Sequence, residues 1–237
     1  MSGKLYLVPV TLGSSDYDYV IPKKVLTIIT SLRNFIVEDI RSARRFLRLI
    51  DPVFPIDRCS FMVLNKHTPA ADIEKMISHL KEGADTGLMS EAGIPGIADP
   101  GSDVIIRAHD CNIRVIPLSG PSSIFLAMMS SGLNGQDFAF NGYLPVGRPE
   151  RIKEIKKLEI TARKGQSQIF METPYRNMKL VDDLLITLHP DIYLCIAANI
   201  SHHDEFIITR PVSAWRKGKI PAIHKKPAIF IIGRKTW

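Results

Sequence analysis

The chain has 237 residues, of which 45% are hydrophobic, 23% charged and 8% aromatic, and it carries a net charge of +7. That balance excludes a disordered or collagen-like chain, and the length is enough to bury a substantial core without staples. A moderately basic surface is compatible with RNA or another phosphate-bearing partner without demanding one.

Short apolar runs alternate with amphipathic stretches from the start. Strands are expected at 5–8, 35–37, 61–64, 86–89 and 113–116. Between them, helices are expected at 22–32, 39–50, 69–82 and 102–110. Pro22 suits the first turn of a helix, Ile40, Ala43, Leu47 and Ile50 recur at helical spacing, and Gly83 stops the third helix. Strands separated by helices predict parallel βαβ units.

A second series follows, with helices at 121–131, 150–163 and 177–188, the first ended by Gly132. Strands are expected at 137–140, 168–171, 192–197, 206–209 and 228–232. The late strands lie close together, which predicts a mixed sheet. The fold class is therefore α/β with two α/β domains, a parallel N-terminal sheet (1–117) and a mixed C-terminal sheet (118–237), parted at the Pro117–Pro121 crossing.

Cys59, Cys111 and Cys195 are few and far apart, without zinc or redox spacing, which points to a reducing, cytoplasmic setting. The first ten residues hold no signal core, and apolar runs such as 124–129 are too short to span a bilayer. No metal site is expected: His202-His203-Asp204 is the densest group and reads as a solvated turn. Dinucleotide, P-loop and nucleophile-elbow motifs are missing.

Two loops stand out. Ser90–Ser102, SEAGIPGIADPGS, follows a strand and is rich in Gly and Pro. Such a loop presents rigid bare backbone at the carboxyl edge of an α/β sheet, where ligands bind. The plainer reading is a tight surface connection. Pro117–Ser123, PLSGPSS, again joins a strand to a helix, and it reads either as an anion-attracting helix start or as an ordinary cap by Ser119 or Ser122. Glu38 and Asp39 at a strand end are candidates for chemistry, with Asp39 equally suited to cap the next helix. In that helix Arg41, Arg44, Arg45 and Arg48 share one face, either for RNA phosphates or as a solvated surface. Arg216, Lys217, Lys219, Lys225 and Lys226 form a second basic group.

Together LYLVP (5–9), EDIR (38–41), SEAGIPGIADPGS (90–102), IRVIPLSGPSS (113–123), GYLP (142–145) and FMETPYR (170–176) resemble the tetrapyrrole methylase family of S-adenosylmethionine-dependent methyltransferases. Within it they resemble the branch that methylates ribose 2′-hydroxyls of bacterial small-subunit ribosomal RNA. The resemblance implies two α/β domains with the cofactor in the cleft between them, and a homodimer. It implies that Ser90, Ala92, Gly93, Asp99, Ser119, Gly120, Pro121 and Ser122 border S-adenosyl-L-methionine, with Glu172, Thr173, Tyr175, Ala198, Pro227 and Ala228 on the other side. Phe125, Met128 and Met129 are candidates for the dimer surface, or equally for plain core residues. The chain departs from the branch at Val10–Ser15, in place of a Pro-Ile-Gly-Asn turn, and at Ile40, in place of Thr. It departs also at Ala198-Asn199, in place of Arg-Glu, and at Lys226-Pro227, in place of Gly-Glu. Carbon methylation of a tetrapyrrole and non-catalytic RNA binding are the alternative functions.

Overall fold

Each expected strand forms, and the way they are connected decides where the helices lie. The structure, a computed structural model, describes residues 2–235. The chain divides into two compact units, Met1–Ser122 and Ser123–Trp237.

The first unit runs β1 (Leu5–Val8), α1 (Tyr17–Val20), α2 (Lys23–Ser31), β2 (Asn34–Val37), α3 (Ile40–Ile50), β3 (Ser60–Val63), α4 (Ala70–Lys81), β4 (Thr86–Met89), α5 (Ser102–Asp110) and β5 (Val115–Pro117). Its five strands are all parallel, in the order β3-β2-β4-β1-β5. A parallel sheet must be covered on both faces, and two separate cores do this. Val25, Ile29, Ala43, Phe46 and Leu47 of α2 and α3 pack on Val8, Phe35, Val37 and Met89. Met76, Ile77, Leu80, Val104 and Ala108 of α4 and α5 pack on Leu5, Ile36 and Leu88. The chain moves one way across the sheet from β1 to β3 and back from β3 to β5, and right-handed crossovers in opposite directions place their helices on opposite faces.

β5 begins two residues later than the 113–116 expectation. Ile113 donates its N–H to Ala108 O (2.9 Å), still closing the end of α5 through Asn112 at φ 54°, so pairing with β1 starts only at Leu5↔Val115.

The second unit runs α6 (Ser123–Ser131), β6 (Phe138–Tyr143), α7 (Arg148–Arg163), β7 (Ser167–Glu172), α8 (Asn177–Thr187), β8 (Tyr193–Ala198), β9 (Phe206–Pro211), α9 (Val212–Lys217) and β10 (Ala228–Gly233). Its sheet is mixed, in the order β6-β7-β10-β8-β9, with only β6 and β7 parallel. Ile155, Leu158, Leu180, Leu184 and Trp215 of α7, α8 and α9 bury one face. The short α9 carries little periodic signal; it forms because Pro211 precedes it and Trp215 anchors it, buried and donating Nε1–H to Leu194 O at 2.8 Å. No helix among the described residues is long and apolar enough to cross a membrane.

Candidate active site

In the first unit β4, β1 and β5 are neighbours, so the segments leaving their carboxyl ends meet. Val10 N–H donates to Gly93 O (2.8 Å) and Gly93 N–H to Val10 O (3.2 Å), joining the segments after β1 and β4. Gly120, after β5, lies against Pro9: a Cβ added there would stand 2.1 Å from Pro9 Cβ. A Cβ on Gly93 would meet Leu12 Cδ2 at 3.4 Å and Pro121 O at 3.6 Å. The loop after β4 turns through left-handed backbone at Gly93, Gly96, Ala98 and Gly101. Ser90, buried, donates Oγ–H to Ala92 O at 3.2 Å. Ser90, Ala92, Gly93, Gly120 and Pro121 thus come together from two distant parts of the sequence.

Carboxylates gather on the same edge, because β2 neighbours β4. Burial pushes the Asp99 carboxyl up to about 6, with Glu38 and Glu91 adding and Ser90 opposing. Burial also raises Glu38, again with Glu91 adding. The charges that raise both groups are carboxylates, so the cluster favours a cationic guest. Glu91 carries no signal in the sequence beyond its place in the loop. Asp39 is different. It caps α3, accepting from Ser42 N–H (2.7 Å) and Ser42 Oγ–H (2.5 Å), and these bonds hold its carboxyl below the usual range.

Arg41, Arg44, Arg45 and Arg48 are all exposed, opposite the buried Ala43, Phe46 and Leu47. Two of them also have local work. The Arg44 guanidinium sits 5.3 Å from the Phe61 ring centroid, and Arg48 Nη1 donates to Pro52 O (2.6 Å) at the helix end.

In the second unit, cross-strand register aligns residues from three separate segments. Ala228 pairs with Glu172 on one side and with Ala198 on the other. Glu172 is buried, and its Oε1 accepts from Thr173 N–H (2.7 Å) and from Arg176 Nε and Nη2 (2.9 and 2.6 Å). Tyr175, three residues after Glu172, is 69% exposed.

The departures at Asn199 and Lys226 converge. Asn199 Nδ2 and Lys226 Nζ both donate to the Asp204 carboxylate, Lys226 at 2.7 Å, while Asn199 N–H donates to Pro227 O at 2.9 Å. Asp204 therefore holds two strand-end segments together, which its place in a polar turn did not suggest. In the second basic group, Arg216 donates to Leu185 O (2.6 Å) and Leu188 O (2.7 Å), pinning α9 to the end of α8. Met128 is buried in the core, so the expected dimer surface on α6 reduces to Phe125 and Met129, both exposed. Among the described residues no three His, Cys, Asp or Glu side chains are grouped to hold a metal ion.

No family model matches the chain. It is 29% identical over 219 residues to the ribosomal RNA small subunit methyltransferase I of Escherichia coli O157:H7, covering 91% of this chain and 72% of that protein. It is 28% identical over 235 residues to the enzyme of the same name from Buchnera aphidicola, covering 98% and 78%. Among solved structures, the methyltransferase CobJ superposes with a TM-score of 0.65 at 13% identity, over 98% of this chain and 95% of that one. The uroporphyrin-III-C-methyltransferase of Thermus thermophilus superposes with a TM-score of 0.56 at 17% identity, over 99% and 93%. By sequence the chain is similar to these ribosomal RNA small subunit methyltransferase I proteins, and its fold is similar to that of these two methyltransferase structures.

Proposed function

We propose that the chain is an S-adenosylmethionine-dependent methyltransferase that acts on small-subunit ribosomal RNA at a ribose 2′-hydroxyl. The observation that carries the reading is the junction of the segments after β1, β4 and β5, a tight glycine-lined edge, with Asp99, Glu38 and Glu91 grouped near Ser90 at the end of β4. It fits this cofactor. The left-handed turns at Gly93, Gly96 and Gly101 hold the loop in a shape that glycine adopts readily, and Glu38, Glu91 and Asp99 suit a cation. Ser90, Ala92, Gly93, Asp99 and 119–122 would hold it, and the resemblance adds Glu172, Thr173, Ala198, Pro227 and Ala228.

When bound, S-adenosylmethionine supplies an electrophilic methyl on a positively charged sulfur. The chain's part is to align the acceptor hydroxyl with it, and alignment supplies most of the rate. Glu38 is the base we assign to the acceptor. Its carboxyl, raised by burial, would take the proton of the acceptor hydroxyl. Asp39 is committed to the helix and takes no part. The Arg41–Arg48 face is assigned to RNA phosphates, and Phe125 and Met129 to a homodimer contact in the cytoplasm.

Transfer of labelled methyl from S-adenosylmethionine to small-subunit RNA, with alkali-resistant dinucleotide as product, tests the reading. Label in uroporphyrinogen instead would move the acceptor to a tetrapyrrole. RNA binding without transfer would leave a non-catalytic relative. A monomer mass by light scattering at tens of micromolar would remove the dimer.

A further inference from the structure

An aromatic side chain that is mostly exposed yet rigidly mounted among cations is unusual, and Tyr175 is one. It stands in the turn between β7 and α8, and this turn is tied down on three sides. Arg176 N–H donates to Thr173 O (2.9 Å), and the Arg176 guanidinium is held by the buried Glu172. Lys225 N–H donates to Pro174 O (3.0 Å) from the facing 221–227 loop. That loop is itself fixed, because Asn177 Nδ2 donates to Ile223 O (3.3 Å) and Lys226 O (2.6 Å), and Ile223 is buried.

The ring's surroundings are basic and aromatic. Lys225 Nζ lies 5.9 Å from the ring centroid, and the His224 ring meets it edge to face at 6.2 Å. Lys225 holds its place through left-handed backbone, φ 63°. Lys226, by contrast, turns away to Asp204. Tyr175 nevertheless keeps 69% of its surface in solvent. A ring with a preset orientation, exposed surface and an adjacent ammonium group is a stacking platform: every base has a π-face, and the ammonium meets the neighbouring phosphate. Nothing in the packing of the second unit requires an aromatic side chain there, since its core is closed by Leu180, Phe170 and Trp215.

We infer that Tyr175, with Lys225 and His224 beside it, is a docking subsite for one unstacked base of a single-stranded RNA segment. The inference rests on the RNA reading above and assigns this side chain to the acceptor rather than to the cofactor. Single-stranded RNA is favoured over duplex because only a base freed from its stack offers a face to a lone ring.

The test uses the full chain and a fluorescein-labelled single-stranded oligoribonucleotide, with the same strand in duplex as control. Tyr175→Ala is expected to weaken single-strand affinity roughly five- to hundredfold and to leave duplex affinity unchanged, while Tyr175→Phe stays within about twofold of wild type. Tyr175→Trp is expected to show its emission quenched on binding the single strand. Calorimetry with S-adenosylmethionine separates the alternatives: cofactor affinity lost in Tyr175→Ala with RNA affinity kept overturns the subsite and makes Tyr175 a cofactor wall. Wild-type RNA affinity in a folded Tyr175→Ala protein, checked by its melting curve, overturns it too. If the wild type binds no RNA, the RNA reading fails first and the subsite with it.

Discussion

Gly120 is seated directly on Pro9: a single methyl added to Gly120 would stand 2.1 Å from Pro9 Cβ and 2.5 Å from its Cγ. Neither atom is the end of a flexible chain, so the loop after β5 must move if Gly120 changes. Gly120→Ala is expected to cost about 1–3 kcal/mol of stability, the usual cost of overpacking. It should also weaken S-adenosylmethionine binding, because the displaced segment carries Pro121 and Ser122. Urea unfolding and calorimetry check both, and unchanged binding in the folded variant would detach this loop from the cofactor.

Gly93 makes the opposite case. A Cβ there would make only ordinary contacts, with Leu12 and Pro121, but its φ of 74° is left-handed. Gly93→Val therefore pays in backbone strain of roughly 1–2 kcal/mol and fills the space the ligand needs. S-adenosylmethionine binding should be abolished in calorimetry on folded protein. Binding at wild-type affinity would remove Gly93 from the site.

Glu38 and Asp39 are adjacent in sequence and divide in role. Asp39→Ala leaves the Ser42 amide without its acceptor, and the melting temperature should fall by about 3 °C. Methyl transfer by the folded protein should be unaffected. Glu38→Gln should not lower the melting temperature, since burial already disfavours the charged carboxylate, and should depress transfer by roughly 10²–10⁴-fold, the usual worth of a positioned base. Rates that respond to Asp39 and not to Glu38 would reverse the assignment.

Asp99 gives the edge a pH dependence. Its carboxyl stands at about 6 instead of 3.8, so the folded chain binds that proton more tightly than the unfolded one. Stability from this group is present below about pH 4 and is lost as pH rises through about 6. The full figure for that move is roughly 3 kcal/mol, and solvent screening of a half-exposed group reduces it to about 1 kcal/mol. Asp99→Asn should accordingly be more stable than wild type at pH 7 and equal to it at pH 4. Affinity for the cationic cofactor should rise between pH 5 and 7 in wild type and stay flat in the variant. A flat wild-type profile would show that Asp99 does not face the cofactor's charge.

The four arginines of α3 are not equivalent. Arg44 stacks on Phe61 and Arg48 closes the helix end, so replacing either mixes local packing with any loss of RNA contact. Arg41→Ala with Arg45→Ala is the cleaner test. RNA affinity should weaken across sequences and the salt slope flatten by roughly one or two units. The helix should remain, since Ala is the best helix former and its buried stripe is untouched. A wild-type slope in the double variant would make the face merely solvated.

Local information sufficed for the skeleton of this protein. The 5–8, 86–89 and 102–110 expectations match β1, β4 and α5 residue for residue, because apolar runs, helical spacing and Gly or Pro punctuation act within a few residues of where they stand. The Gly- and Pro-rich loops were legible for the same reason, since positive φ at Gly93, Gly96 and Gly101 is a property of the residue type. What meets what was decided by the sheets. Strand order brings Glu38 beside Glu91 and Asp99, and register aligns Glu172, Ala228 and Ala198; neither order nor register is written in any one segment. Tertiary packing also buried Met128 and turned Asp204 into the meeting point of Asn199 and Lys226. Those outcomes depend on contacts between residues far apart in the chain, where sequence spacing carries no distance information.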